Sequence, residues 1–254
     1  GNNDIILVKY DTNGSLLWQR RLYSSSADVA YSIAVDTSDN IIVGGSSPTD
    51  YDRGIVAKYD SSGNLLWQRR LSGGSYGDAI TGVKTDSSGN VYVAGGVTGF
   101  SGDGFVAKYD SSGTIQWQRT FNNSSEGYAD ICLDSSGNIY TCGYYTPSSY
   151  DLTLSKYDSS GTIQWTKSVK FSSNDFSSSM AIDSSNNIYV CARSNYGATN
   201  SFIICKYDTS GTVIWQRAIT NSSANSEAWG IDVDNSGYYY VVGHSDASGT
   251  DSML

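Results

Sequence analysis

Five near-copies of one stretch constrain this chain more than any other feature. The stretch reads GFVAKYDSSGTIQW at 104–117. Its Lys-Tyr-Asp core recurs as Lys9-Tyr10-Asp11, Lys58-Tyr59-Asp60, Lys108-Tyr109-Asp110, Lys156-Tyr157-Asp158 and Lys206-Tyr207-Asp208. A turn and then a tryptophan follow each copy, and Trp18, Trp67, Trp117, Trp165 and Trp215 are spaced 49, 50, 48 and 50 residues apart. Such even spacing marks a solenoid, a propeller or another repeat array. Because the repeat runs from end to end, residues 1–254 are expected to form a single domain.

Each repeat holds two strand-turn-strand units. Gly54 to Tyr59 and Asn64 to Leu71 flank Asp60-Ser61-Ser62-Gly63, and the stretch from Ile131 to Gly143 repeats the plan around its own Asp and Gly. Asp at the first turn position accepts hydrogen bonds from amides ahead of it, and Gly supplies the positive φ of a tight reversal. The strands Ile5-Ile6-Leu7-Val8, Val91-Tyr92-Val93 and Phe202-Ile203-Ile204 are almost continuously apolar, so both faces of each sheet are expected to be covered. Four strands in about 50 residues is the content of a propeller blade.

AYSIAVDTSDNIIVGG (30–45) followed by RGIVAKYDSSGNLLWQRRL (53–71) resembles the β-propeller repeats called SBBP and, more distantly, NHL repeats, over essentially the whole chain. The tryptophan after Asp-x-x-Gly also resembles the tryptophan-docking turn of quinoprotein propellers, whose spacing has one more residue between Asp and Gly. The expected fold is all-β: a five-bladed β-propeller with four antiparallel strands per blade. The resemblance implies that the GIAVD-like strand is innermost and the tryptophan strand outermost. The chain opens on a third and fourth strand, 4–11 and 16–22, and finishes on a first and second, 229–234 and 238–243. Two strands from each terminus are therefore expected to close the last blade, leaving 251–254 as a redundant start of a further repeat. The seven blades that the SBBP name implies leave the blade number open.

Composition narrows the function. A net charge of −9 opposes binding nucleic acid through its phosphates, and no apolar run reaches the length of a membrane-spanning helix. Cys142 and Cys191 stand where other repeats have Gly44, Ala94 and Val242, and Cys205 where others have Ala57, Ala107 and Ser155. These cysteines are expected to be free thiols packed as small apolar residues, as in a protein folded in a reducing cytoplasm. No catalytic motif surrounds the single histidine, His244, so no enzyme, cofactor or metal is expected. Paired carboxylates (Asp50 with Asp52, Asp232 with Asp234, or Asp130) keep open an alternative, a glycan hydrolase working with channel-mouth carboxylates.

The hairpin turns fall on one rim and the longer, variable connections on the other, where binding sites are usually displayed. These connections carry Tyr51, Tyr76, Phe100, Tyr128, Tyr145, Tyr150, Phe176, Tyr196 and Trp229, and acidic residues Asp28, Asp78, Glu126, Asp175 and Glu227 ahead of the innermost strands. Aromatic faces beside carboxylates suit sugar rings or an amphipathic protein contact. Equally, the acids could satisfy loop amides and the aromatics plug the blade ends. The recurring Lys-Tyr-Asp and Gln-Arg pairs read as inter-blade salt bridges and cross-strand pairs. The expected function is a non-enzymatic binding or structural module that presents its loop face to glycan or protein, within a larger assembly. The wording of the repeats resembles bacterial surface proteins and marine bacteriophage virion proteins, which implies a virion or cell-surface location. A purely architectural filament or capsid spacer is the remaining alternative.

Overall fold

The structure, a computed structural model, describes residues 3–24, 27–47, 53–71, 78–97, 104–121, 127–145, 151–171, 174–196, 199–219 and 225–245. Among them are twenty β-strands and no helix, so none is long and apolar enough to cross a membrane. The chain divides into two compact units, Gly1–Gly127 and Tyr128–Leu254.

The first unit begins with a two-stranded sheet, β1 (Ile5–Tyr10) and β2 (Leu16–Leu22). Two four-stranded sheets follow in simple meander order: β3 (Val29–Val35), β4 (Ile41–Ser47), β5 (Arg53–Tyr59) and β6 (Leu65–Leu71), then β7 (Asp78–Thr85), β8 (Val91–Val97), β9 (Gly104–Tyr109) and β10 (Ile115–Phe121). The second unit holds two more: β11 (Gly127–Leu133), β12 (Ile139–Tyr145), β13 (Asp151–Tyr157) and β14 (Ile163–Val169), then β15 (Asp175–Ile182), β16 (Ile188–Tyr196), β17 (Thr199–Tyr207) and β18 (Val213–Ile219). It finishes with the two-stranded sheet β19 (Ser226–Val233) and β20 (Tyr239–Ser245).

Every hairpin turn has one chemistry. At Asp60, for example, a side-chain oxygen accepts the N–H groups of Ser62 at 2.9 Å and Asn64 at 2.8 Å, while the Gly63 N–H reaches the Asp60 carbonyl at 2.9 Å. The fourth position has positive φ throughout. Glycine supplies it at eight turns, and Asp39 and Asn186 adopt it at the other two with φ of 59° and 62°. Asn and Asp tolerate this region best among residues with a side chain.

The strands in the middle of each sheet bury both faces, as the unbroken apolar runs require. Val91, Val93, Ile139, Cys142, Leu152 and Leu154 have no exposure, whereas the outer tryptophan strand β18 is exposed along most of its length. Within the first unit Ile42 and Val56 pack on Ile80, Val83 and Phe105 of the next sheet; within the second, Cys142 and Leu154 pack on Met180 and Val190.

Tryptophans carry the contact between successive sheets. The Trp18 N–H donates to the Ser61 carbonyl and that of Trp67 to the Ser111 carbonyl, both at 3.1 Å. Arg20 and Arg69 donate through Nε to the carbonyls of Gly63 and Gly113 at 2.7 Å. The recurring lysine makes its ion pair inside its own sheet: Lys58 Nζ is 2.8 Å from Asp36 and Lys206 Nζ 3.4 Å from Asp183. The inter-blade salt bridges expected from the Lys-Tyr-Asp and Gln-Arg motifs are thus hydrogen bonds to carbonyls, because the facing element is a turn that presents its backbone oxygens.

Among the described residues the strands pair into six sheets, four of four strands and two of two, with β1–β2 in the first unit and β19–β20 in the second. Residues 251–254 lie outside the described residues.

Candidate functional site

The loop-face candidates separate by burial. Asp28 precedes β3, while Asp78 and Asp175 open β7 and β15, and all three are buried. Asp28 accepts the Ser24 hydroxyl at 2.8 Å and its N–H donates to the Asn3 carbonyl; Asp175 accepts the Phe171 N–H at 2.6 Å and the Ser194 hydroxyl. Tyr128 is buried with its hydroxyl 2.9 Å from that of Tyr157. These groups hold connections and strand ends together. Tyr51, Tyr76, Phe100, Tyr150 and Glu126 lie outside the described residues, as do the side chains of Tyr145 and Tyr196.

Glu227 is set apart by one residue of register. Asp175 faces Ser194 across the β15–β16 ladder, and the matching pair in the last sheet is Ser226 with Ser245. Ser226 therefore occupies the aspartate position. Successive strand residues point to opposite faces, so Glu227 emerges on the face of Phe176. In the same segment of four sheets the ladder slips: at Ala30/Ser32, Ile80/Gly82, Ser177/Ser179 and Ala228/Gly230 one extra residue is left over. Trp229 is that residue in the last sheet. A bulge re-aims its side chain, and Trp229 is 61% exposed although it lies inside a strand.

Around Trp229 the second unit assembles a continuous line of side chains. The Tyr144 ring meets Phe176 edge-on at 5.7 Å, and the Arg193 guanidinium lies 4.6 Å from the Phe176 centroid. Arg193 Nη1 donates to Glu227 Oε1 at 2.9 Å, the indole N–H of Trp229 donates to Glu227 Oε2 at 3.4 Å, and His244 lies edge-on to the indole at 4.9 Å. With one oxygen held by the guanidinium and the other by the indole, Glu227 fixes the tilt of an exposed aromatic face. Phe176, Glu227 and Trp229 were legible as candidates in the sequence. Tyr144, Arg193 and His244 were not; they lie near the ends of β12, β16 and β20.

The carboxylates considered for hydrolysis are engaged in backbone structure. Asp130 accepts the Ile131 N–H at 2.8 Å through one oxygen, and the Ser179 hydroxyl and Met180 N–H, both at 3.0 Å, through the other. Asp232 accepts the Val233 N–H, and Asp234 accepts the Ser236 and Tyr238 N–H groups of its own turn. Asp50 and Asp52 lie outside the described residues. Among the described residues no group of three or more His, Cys, Asp or Glu side chains is placed to hold a metal ion.

Residues 3–231 match the PQQ_2 family, described as outer membrane protein assembly factor BamB. The chain belongs to the PQQ_2 family. An uncharacterized WD repeat-containing protein of Acanthamoeba polyphaga mimivirus is 50% identical over 46 residues, which is 18% of this chain and 3% of that protein's length. A Bacteroides caccae protein of unknown function has a similar structure, with a TM-score of 0.55 at 11% identity over 87% of this chain and 74% of its own. Quinohemoprotein alcohol dehydrogenase from Comamonas testosteroni is also similar, with a TM-score of 0.55 at 14% identity over 82% of this chain and 39% of its own. At these identities the likeness concerns the fold. Together with the antiparallel four-stranded sheets, PQQ_2 membership makes this a β-propeller repeat protein, the level at which the resemblance to SBBP repeats holds.

Proposed function

We propose that this chain is a non-enzymatic binding module that engages glycan through Trp229. The observation that carries this reading is the exposed indole, re-aimed by a bulge and held at a fixed tilt by Glu227 and Arg193. A flat apolar face beside a carboxylate and a guanidinium offers stacking to the C–H face of a sugar ring and hydrogen bonds to its hydroxyls. The engagement of Asp130, Asp232 and Asp234 in backbone hydrogen bonds favours binding over hydrolysis. We further propose display on a virion or cell surface after folding in a reducing cytoplasm, a reading supported by buried free thiols.

A glycan array probed with the whole chain tests the proposal. Single-site affinity is expected on the order of millimolar, raised by multivalent display. Trp229→Ala should abolish the signal while leaving the fold intact, since the ring is largely exposed. Binding that survives this substitution, or release of product from the bound glycan, overturns the reading.

A further inference from the structure

We propose that the outer edge of β14 docks an acidic, extended peptide segment of another protein, which adds to the sheet β11–β14 as a fifth strand. The other outer strands carry a device that obstructs such an addition, and β14 lacks it.

The strands β2, β6, β10, β14 and β18 each have a paired neighbour on one side alone. An edge of this kind presents unpaired N–H and C=O groups to any strand that reaches it. On all of them but β14 an arginine stands two residues beyond the tryptophan. Arg20, Arg69, Arg119 and Arg217 lie over the indoles of Trp18, Trp67, Trp117 and Trp215 at 5.4–5.7 Å. Each turns Nη1 back onto the carbonyl of the residue before it, Gln19, Gln68, Gln118 or Gln216, at 2.8–2.9 Å. A planar, charged group is thereby fixed against the outermost backbone, where it occupies an acceptor and hinders an incoming strand.

In β14 the sequence changes from Trp-Gln-Arg to Trp165-Thr166-Lys167. Lysine has no planar fork to fold back, and among the described residues no side chain donates to the Thr166 carbonyl. The indole changes its pose as well. A Cβ at Gly63 or Gly113 would meet Cδ2 of Trp18 or Trp67, and those indole N–H groups donate to the carbonyls of Ser61 and Ser111. A Cβ at Gly211 would instead meet Cη2 of Trp165 at 3.0 Å and Cγ of Lys167 at 3.1 Å. The lysine stem takes the place on the turn that Arg20 holds at Gly63. Among the described residues neither the Trp165 N–H nor the Lys167 ammonium has an acceptor.

The chemistry of this edge selects its occupant. From Ile163 to Val169, β14 is exposed at five of seven residues and carries a lysine and no carboxylate. Asp151 of the neighbouring strand is engaged by Lys170 and the Ser168 hydroxyl. A second β14 would set lysine near lysine, and a purely apolar strand would desolvate the ammonium without pairing it. A strand bearing carboxylates supplies the missing acceptor while its backbone extends the ladder, and β-branched residues between the acids cover Ile163, which is 45% exposed.

The test uses the whole chain and a fluorescein-labelled octapeptide of alternating glutamate and valine, read by fluorescence anisotropy. This peptide should bind about tenfold more tightly than the same peptide with lysine for glutamate, or with every backbone nitrogen methylated. Lys167→Arg keeps the charge and restores the obstruction of the other four strands, so affinity should fall about tenfold with the urea midpoint unchanged. Lys167→Met should abolish the preference for glutamate over lysine. Absence of binding by the glutamate peptide, affinity that survives backbone methylation or Lys167→Arg, or self-association of the chain in sedimentation velocity overturns the proposal. Trp229→Ala should leave peptide binding unchanged, which separates this edge from the glycan site.

Discussion

Trp67 lies against Gly113 so closely that a Cβ there would meet the indole at 2.6 Å. Gly113 also holds φ of +80°, as Gly14 holds +81° with no neighbour near its Cβ position. The pair separates two effects that usually travel together. Gly14→Ala should cost about 1 kcal/mol, the strain of a side chain in the left-handed region. Gly113→Ala should cost roughly 2 kcal/mol more, because the displaced indole also gives up its bond to Ser111 and its packing. Urea unfolding midpoints of the two variants measure the difference, and equal midpoints would show that the indole does not hold the sheets together.

Lys58 is 2% exposed and its ammonium sits 2.8 Å from the buried Asp36 carboxylate. Lys58→Met should destabilise by about 3–5 kcal/mol, since it leaves an unpaired charge in the interior. Combining it with Asp36→Asn should recover part of that loss, because the amide retains its turn bonds and the charge is gone. A double-mutant cycle by chemical denaturation reads the coupling, and simple additivity of the two losses would argue against the ion pair.

The turn aspartates also predict how the protein responds to acid. For Asp36, burial raises the pKa, but the Lys58 ammonium, the Asn40 side chain and the N–H groups of Asn40 and Ser38 together outweigh it and bring the value down from 3.8 to about 2. Asp11 and Asp60 are lowered chiefly by N–H donors of Ser15 and Asn64, and Asp110 and Asp208 chiefly by the hydroxyls of Ser112 and Ser210. A carboxylate with a lower pKa folded than unfolded contributes stability that is complete above the unfolded value and disappears as pH falls through the folded one. Thermal stability should therefore hold steady above about pH 5 and decline between about pH 4 and pH 2. Asp36→Asn should be less stable at neutral pH and show a shallower acid decline.

The turns were legible because Asp and Gly each do a specific job at a fixed spacing. Asp39 and Asn186 fill the glycine position with the residues that tolerate it best. The covered faces of the inner strands were legible for a similar reason, since an unbroken run such as Val91-Tyr92-Val93 cannot face water on either side. The site was legible in part. Phe176 and Trp229 stood out as aromatics, but the bulge at Trp229 emerges once the ladder register is known, and Glu227 aligned with the aspartates until that register placed Ser226 in their position. Arg193 and His244 reach the site from neighbouring strands, a long-range relation that a repeat pattern does not encode.

The thiols give a last prediction. Cys132, Cys142, Cys191 and Cys205 are all free and buried, with Cys142 and Cys191 in the strands between the sheet faces. Burial raises each thiol that is shifted, Cys191 to about 12 and Cys205 to about 11, so the reactive thiolate is scarce at neutral pH as well as inaccessible. A disulfide reagent should therefore label none of the four in the native protein and all four in denaturant. Labelling at intermediate urea should follow loss of the second unit, which holds all four. Replacing Cys142 by Ser should destabilise by about 1–3 kcal/mol, since a hydroxyl in that site loses the apolar contacts of Leu154 and Met180 and gains a desolvation penalty. Cys142→Ala, which keeps the site apolar and matches Ala94 of the corresponding strand, should cost less. Rapid labelling of the native chain, or a serine variant as stable as the alanine one, would show that these sulfurs are not packed as the core requires.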